Sequence, residues 1–306
     1  MIHITSLDEG LELFKALGSD VRVQILKLLL ENDHLSINQL ASHLNLSNGA
    51  LTGHIKKLEE SGLISTSNAY ASHGNSKICS VIQDKIVIEI EKPVDFTNAI
   101  TTDIRVGQFS KYDISPTCGL ANSTSVIGEI DDARYFSHPD HFNADILWFT
   151  KGYVEYSLPN LIPSNNVITQ ISISFEISSE APGIDNNWPS DISFFLNGKK
   201  LGMWTSPGDF GGDIRGMFTP DWFPPNWNQY GLLKLLVINK HGTFIDGLQI
   251  SDLTIKNLAL EQGAPLDFRI AVEDDTAHIG GVTLFGKTFG NYGQDIRVSI
   301  NYRPIN

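Results

Sequence analysis

The chain is poor in cysteine, poor in positive charge and without a long apolar run, and each shortage narrows what it can be. Two cysteines in 306 residues, Cys79 and Cys118, supply neither a disulfide framework nor a metal knuckle. The apolar run Val23–Leu30 is broken by Gln24 and Lys27 and falls far short of the ~20 residues a membrane-spanning helix needs. The opening MIHITSLDEG lacks the basic and apolar regions of a signal peptide. A cytoplasmic protein without membrane contact is the expectation. The 22 Lys+Arg against 35 Asp+Glu give a net charge of −13, which argues at first sight against nucleic acid. The deficit is uneven: residues 1–92 hold 8 basic and 11 acidic side chains, net −3, and the rest hold 14 and 24, net −10. A DNA-binding module needs a local basic stripe rather than a basic total, so the first part stays open to that role. Its binding is expected to be weak and strongly salt-dependent.

At about 100–200 residues per domain, this length predicts two domains. The stretch from Leu46 to Ile64, LSNGALTGHIKKLEESGLI, carries the functional argument. Ser47 stands where a helix N-cap belongs. At about 100° per residue Leu51, Ile55, Leu58 and Gly62 share one face, with His54 at its edge as a packed helix-face residue. Gly49, Thr52, Gly53, Lys56, Lys57 and Glu60 take the other, and Gly62 supplies the stop. A buried stripe, a small polar tip and lysines one turn later suit a recognition helix, in which small groups approach base edges and cations meet phosphate. An ordinary amphipathic surface helix would show the same pattern. Upstream, Ser6-x-x-Glu9 reads as a capping box for a first helix ending at Gly18. Ser19 then caps a helix over 20–31, and Ser36 caps a third through Leu44. After Leu63 a period of two takes over, with a turn at 72–76 and a return run 77–82: a β-hairpin.

Three helices, a short turn, a fourth helix and a hairpin make a winged helix-turn-helix. The pattern S-x-x-x-L-T-x-H-I-K-K-L-x-x-x-G-L-I, from Ser47 to Ile64, resembles the ArsR type of bacterial repressor, over roughly residues 7–82. The resemblance implies operator DNA as partner and a homodimer as the working form. If Gly49 and Gly53 mark close backbone approach, Asn48 and Thr52 would read bases, with Ser47 at the same tip and Lys56, Lys57, His73 and Lys77 on phosphate; the two glycines would equally suit a weakly specific, partly frayed helix. Two departures stand out. Metal-sensing members carry C-x-C on the third helix, where this chain has Ser36-Ile37-Asn38, poor substitutes for thiolates. The helix that often closes the family's dimer is replaced by DKIVIEIEK, which alternates as a strand.

Pro93 marks the boundary, giving domains over 1–92 and 93–306 and an α+β fold class overall. Beyond it helical spacing vanishes. Alternating runs recur at 104–112, 146–158, 168–177, 192–196, 232–238, 249–255, 267–272 and 296–302, with an Asn197-Gly198 hairpin turn. They predict an all-β jelly-roll sandwich, weakly resembling galactose-binding-like carbohydrate modules. The long loop Met203–Gly231 holds Trp204, Trp222 and Trp227 with Asp209, Arg215 and Tyr230 interspersed. Flat rings beside planar hydrogen-bonding groups suit a sugar-like ligand. The same aromatics would also serve as a satellite core.

Gly281–Thr288 satisfies the Walker A pattern, but the glycines that follow break helices and a P-loop must open one. His138 and His141 lack a third ligand nearby, and the pairs Asp131-Asp132 and Asp274-Asp275 read as solvated turns. No catalytic residue, metal or cofactor is expected. The leading reading is a transcriptional regulator whose sandwich senses a small polar ligand, with carbohydrate foremost. Two others stand beside it: a sandwich that only dimerises or binds protein, and a carbohydrate-active enzyme with a DNA-binding appendage.

Overall fold

The computed structural model describes residues 2–4, 7–32, 34–71, 74–83, 85–88 and 98–305. The chain forms two compact units, Met1–Val94 and Asp95–Asn306.

The first unit runs β1 (Ile2–Ile4), α1 (Leu11–Leu17), α2 (Asp20–Asn32), β2 (Leu35–Ser36), α3 (Ile37–Leu44), α4 (Asn48–Glu60), β3 (Ile64–Ala71), β4 (Gly74–Val81) and β5 (Ile86–Ile88). Local chemistry sets most of these boundaries. Ser36 caps α3 in a reciprocal box with Gln39, and Asn45 closes that helix in the left-handed region at φ 52°. The Ser47 hydroxyl accepts from the Ala50 N–H at 3.3 Å to begin α4. At its end Gly62, at φ 72°, donates to the Glu59 carbonyl while Leu63 reaches back to Leu58, a Schellman close that favours glycine. Leu51, Ile55 and Leu58 are buried with Ile25 and Leu29 of α2, Leu40 of α3 and Cys79 of β4. Each such side chain stabilises by about 1.5–3 kcal/mol relative to exposure. The wing is a three-stranded sheet in the order β2-β4-β3.

Two features differ from expectation. α1 begins at Leu11 after a turn, with Gly10 at its N-cap, and Ser6 lies outside the described residues. β5 pairs in parallel with β1, Ile2 opposite Ile86 and Ile4 opposite Ile88. Neither short strand has a partner close in sequence, so periodicity cannot reveal the pair. Arg22 adds a third feature. Its side chain is 8% exposed, and Nε and Nη2 donate to the Ala16 and Lys15 carbonyls at 2.6 Å each. The guanidinium thus satisfies carbonyls that the end of α1 leaves open, where a cation is favoured.

The second unit is an all-β sandwich: β6 (Ala99–Ile104), β7 (Lys111–Ala121), β8 (Ile146–Leu158), β9 (Asn166–Ser178), β10 (Ser190–Leu196), β11 (Lys199–Ser206), β12 (Leu232–Ile238), β13 (Thr243–Ile245), β14 (Leu248–Ser251), β15 (Leu266–Val272), β16 (Val282–Phe285) and β17 (Ile296–Pro304). β8 pairs with β16 along its first half and β15 along its second, while β7 runs along its other edge. β9 carries β12 on one side and β17 on the other. One core fills the space between, with Phe175 of β9 5.4 Å from Phe194 of β10 and 6.1 Å from Phe268 of β15. The run 104–112 proves not to be one strand. β6 ends at Ile104 and β7 begins at Lys111, and Val106 and Phe109 enter the core from the loop between. The run 249–255 likewise ends as strand at Ser251, and Ile255–Leu258 is a 3-10 turn. The Walker-like stretch is the buried strand β16 followed by turns. Cys79 and Cys118 are both fully buried, and burial pushes each thiol up to about 11.

Replacing Arg22 by Leu keeps the bulk but removes two hydrogen bonds from a charged donor, each worth roughly 1.5–3 kcal/mol. Chemical denaturation is expected to show the first unit destabilised by about 2 kcal/mol or more. An unchanged midpoint would mean that water replaces the guanidinium at no cost.

Candidate nucleic-acid interface and the aromatic loop

Ser47, Asn48, Gly49, Thr52, Gly53, Lys56 and Lys57 are all exposed on α4, and Lys77 is exposed on β4. His73 lies outside the described residues. The tip is ordered by its own polar groups. Asn48 donates through Nδ2 to Asn38 Oδ1 of α3 at 2.7 Å, and the Thr52 hydroxyl donates to the Asn48 carbonyl at 2.7 Å. Lys56 stands 3.6 Å from Glu60, one turn on. A Cβ at Gly49 or Gly53 would meet nothing within 4 Å, so packing within the chain does not require either glycine. On the inner edge His54 is half-buried, and burial, then Arg22 and Lys57, lower its pKa. It packs as a neutral ring.

The aromatic loop is more tightly folded than its composition suggests. Trp204 lies before it, on β11, beneath the Lys234 ammonium at 4.3 Å. Asp209 is fully buried and accepts from the Ala181 and Asp185 N–H groups at 3.0 and 2.6 Å. Arg215 is spent on loop carbonyls, donating to Thr219 at 3.3 Å, to Phe223 at 3.0 Å and to Pro220. Tyr230 stacks on Phe210 at 5.5 Å. Trp222 is 36% exposed and donates to the Ser123 carbonyl at 2.8 Å. Trp227 meets Trp148 at 5.7 Å and Phe223 at 5.2 Å, both edge-on. The six side chains therefore do not converge on one ligand. Only Trp222 and Trp227 share a cluster, through Phe223.

Around Trp227 the fold assembles a cleft of about 180 Å³ from residues far apart in sequence. Trp148, Phe223 and Trp227 form its aromatic wall; Glu180, Asp131, Asn228 and Thr283 supply polar groups. The Thr283 hydroxyl donates to Glu180 Oε2 at 2.5 Å, and the Asn228 amide is held by Ser178, Ser179 and Thr283. Burial pushes Glu180 up to about 8, with nearby Asp209 and Asp131 adding to the rise against hydrogen bonds from Thr283 and Asn228. Sequence patterning pointed to none of this set but Trp227: Trp148 and Thr283 read as ordinary strand positions, and Asp131 as a turn. Asp131 is indeed exposed at φ 62°, and its Oδ1 accepts from the Cys118 N–H at 3.0 Å.

The N-terminal unit is a winged helix-turn-helix domain: residues 19–65 match the family of winged helix-turn-helix DNA-binding domains. Among its relatives is the transcriptional activator HlyU of Vibrio cholerae, 44% identical over 54 residues, which are 18% of this chain and 49% of HlyU. The solved structure of reduced HlyU is 35% identical and aligns over 24% of this chain and 70% of its own, at a TM-score of 0.21. An ArsR family transcriptional regulator of solved structure aligns over 26% of this chain and 76% of its own, at 25% identity and a TM-score of 0.22. The chain spans about half the length of the curated relatives it matches, 49% of one and 56% of another. Over the second unit, the carbohydrate-binding module CBM36, solved with calcium and xylotriose, aligns over 66% of this chain and 99% of its own, at 11% identity and a TM-score of 0.28.

Two outcomes test this geometry. Gly49→Ala with Gly53→Ala is expected to raise thermal stability, since glycine in a helix costs roughly 1 kcal/mol relative to alanine. The same change is expected to weaken DNA binding at least tenfold by holding the helix away; unchanged affinity would remove close approach as the reason for the glycines. For Glu180, the folded chain keeps a proton that the unfolded chain releases between the ordinary value of 4.5 and about 8. Folding therefore loses stability as pH rises through that window. Glu180→Gln should melt several degrees above the parent at about pH 8.5 and much closer to it at about pH 5. A pH-independent difference between the two would refute the shift.

Proposed function

We propose that the chain is a DNA-binding transcriptional regulator acting in the cytoplasm as a homodimer on a palindromic operator, with its sandwich sensing a small polar ligand. The observation that carries it is α4. Leu51, Ile55 and Leu58 anchor the helix, while every polar or small residue of its opposite face is left open to a partner. Asn48 and Thr52 read bases, Gly49 and Gly53 bring backbone close, and Ser47, Lys56, Lys57 and Lys77 hold phosphate. His73, outside the described residues, would join them on phosphate. Half-sites would lie about one helical turn apart.

For the sandwich, the cleft at Trp227 supports the sensor reading over a purely structural module. The half-buried Trp227, backed by buried Trp148 and Phe223 and set beside hydrogen-bonding groups, suits one saccharide-sized ring. Trp222 remains available at the edge, whereas Asp209, Arg215, Trp204 and Tyr230 act in support of the loop. No step of catalysis is assigned, and the unit reads its ligand without turning it over. Ligand and operator would be coupled by about 1–3 kcal/mol, roughly 5–150-fold in affinity, through the connector 93–102.

The test uses the full chain and promoter DNA from its own genome. Lys56→Ala with Lys57→Ala should weaken binding across all sequences alike and reduce the salt slope by about 0.9 per lost phosphate contact. An unchanged slope would move the interface off α4. In parallel, a panel of sugars and small polar compounds is screened by thermal shift. A binder at ~100 times its Kd stabilises by about 2.7 kcal/mol. A hit that alters DNA affinity supports the sensor, and a blank across the panel favours the dimerisation module.

A further inference from the structure

The cleft beside Trp227 has an electrostatic character that a general sugar site does not require. Its lining holds two acids, Glu180 and Asp131, and no lysine, arginine or histidine. Glu180 receives one protein donor, the Thr283 hydroxyl, and Asp131 receives the Cys118 N–H. An ionised carboxylate has about four acceptor sites, so both keep capacity toward the cleft. Three aromatic side chains, Trp148, Phe223 and Trp227, stand in the same lining. Aromatic faces attract cations, and acids in the same lining do so more strongly.

We propose that this cleft takes a small organic cation: a primary ammonium carried on a C–H-rich ring, the chemistry shared by an amino sugar and a cyclic amine. The ring would lie against the half-buried Trp227 indole while the ammonium sits beside Glu180 and Asp131. A neutral polyol could donate to both acids but would bring no positive charge to them, and an anion would meet two acids with no counter-charge. The cleft, about 180 Å³, has room for one ring. Burial holds the Glu180 proton in the empty site up to about pH 8, so an arriving cation displaces it. Binding at neutral pH therefore releases a proton. This inference rests on the sandwich being a sensor, and it narrows the ligand to one charge.

The experiment is isothermal titration of the full chain at pH 7 with glucosamine, cyclohexylamine, glucose and N-acetylglucosamine. It is run in two buffers of different ionisation heat. Amines are expected to bind at least tenfold more tightly than the two neutral sugars and to release a proton. Glu180→Gln is expected to lose at least tenfold in amine affinity together with the proton release, with its fold checked by circular dichroism. Trp227→Leu provides a second loss that leaves both acids in place. Preference for glucosamine over cyclohexylamine assigns an amino sugar; equal binding assigns a bare cyclic amine. If glucose or N-acetylglucosamine binds as tightly as the amines, the cation inference is overturned while the sensor reading stands. Amine binding that neither variant weakens would place it elsewhere and overturn the site. If none of the four compounds binds, the cation inference falls, and the wider panel on DNA affinity decides the sensor reading separately.

Discussion

The architecture of the second unit depends on carboxylates and amides that bond backbone across long stretches of chain. Asp209 is the central example. Buried completely, it accepts from Ala181 and Asp185 and so fastens the start of the aromatic loop to the segment that leaves β9. A buried charge without such partners would cost far more than a loop could recover. Asn228 repeats the arrangement toward Ser178, Ser179 and Thr283, and Glu176 takes the Gly231, Asn291 and Tyr292 N–H groups. Burial still pushes Asp209 upward despite its donors, which measures how far the site is removed from water. The cleft's wall exists because these ties hold residues 180–183 and 226–228 against β8 and β16.

The first unit is organised differently. Its helices are delimited within a few residues by Ser36 with Gln39, by Ser47, and by Gly62, and its core is a single apolar cluster. Few polar side chains bridge its elements: Arg22 carries the end of α1 onto α2, Asn48 of α4 reaches Asn38 of α3, and Thr66 of β3 reaches Glu59 of α4. Local capping fixes both ends of α4, with Ser47 at its start and Gly62 at its close.

That contrast decides what could be read before the fold was known. Caps, the Schellman glycine and the 3.6-residue stripe are properties of neighbours in sequence, so α2, α3 and α4 were legible nearly to their ends. Strand periodicity marked β8, β9, β12 and β17 for the same reason. It misjudged 104–112 because Ile104, Val106 and Tyr112 keep a period of two across a loop whose Val106 and Phe109 enter the core. Pairing of β1 with β5, and of Trp148 with Glu180 and Trp227, depends on contacts across tens of residues that no local period encodes. The tryptophans drew attention to the right region of the loop. They could not show that Arg215 and Asp209 would be consumed in folding it, because a polar side chain in a loop reads alike whether it faces carbonyls or solvent.

Both cysteines are sealed in separate cores, with thiols too basic to ionise near neutral pH. The native chain is therefore close to inert toward maleimides and similar reagents while folded. One thiol introduced on the open face of α4, and another at the rim of the aromatic cleft, would accept fluorophores or spin labels against a silent background. The separation between the two units could then be followed directly as DNA and ligand are added, without first stripping out natural cysteines.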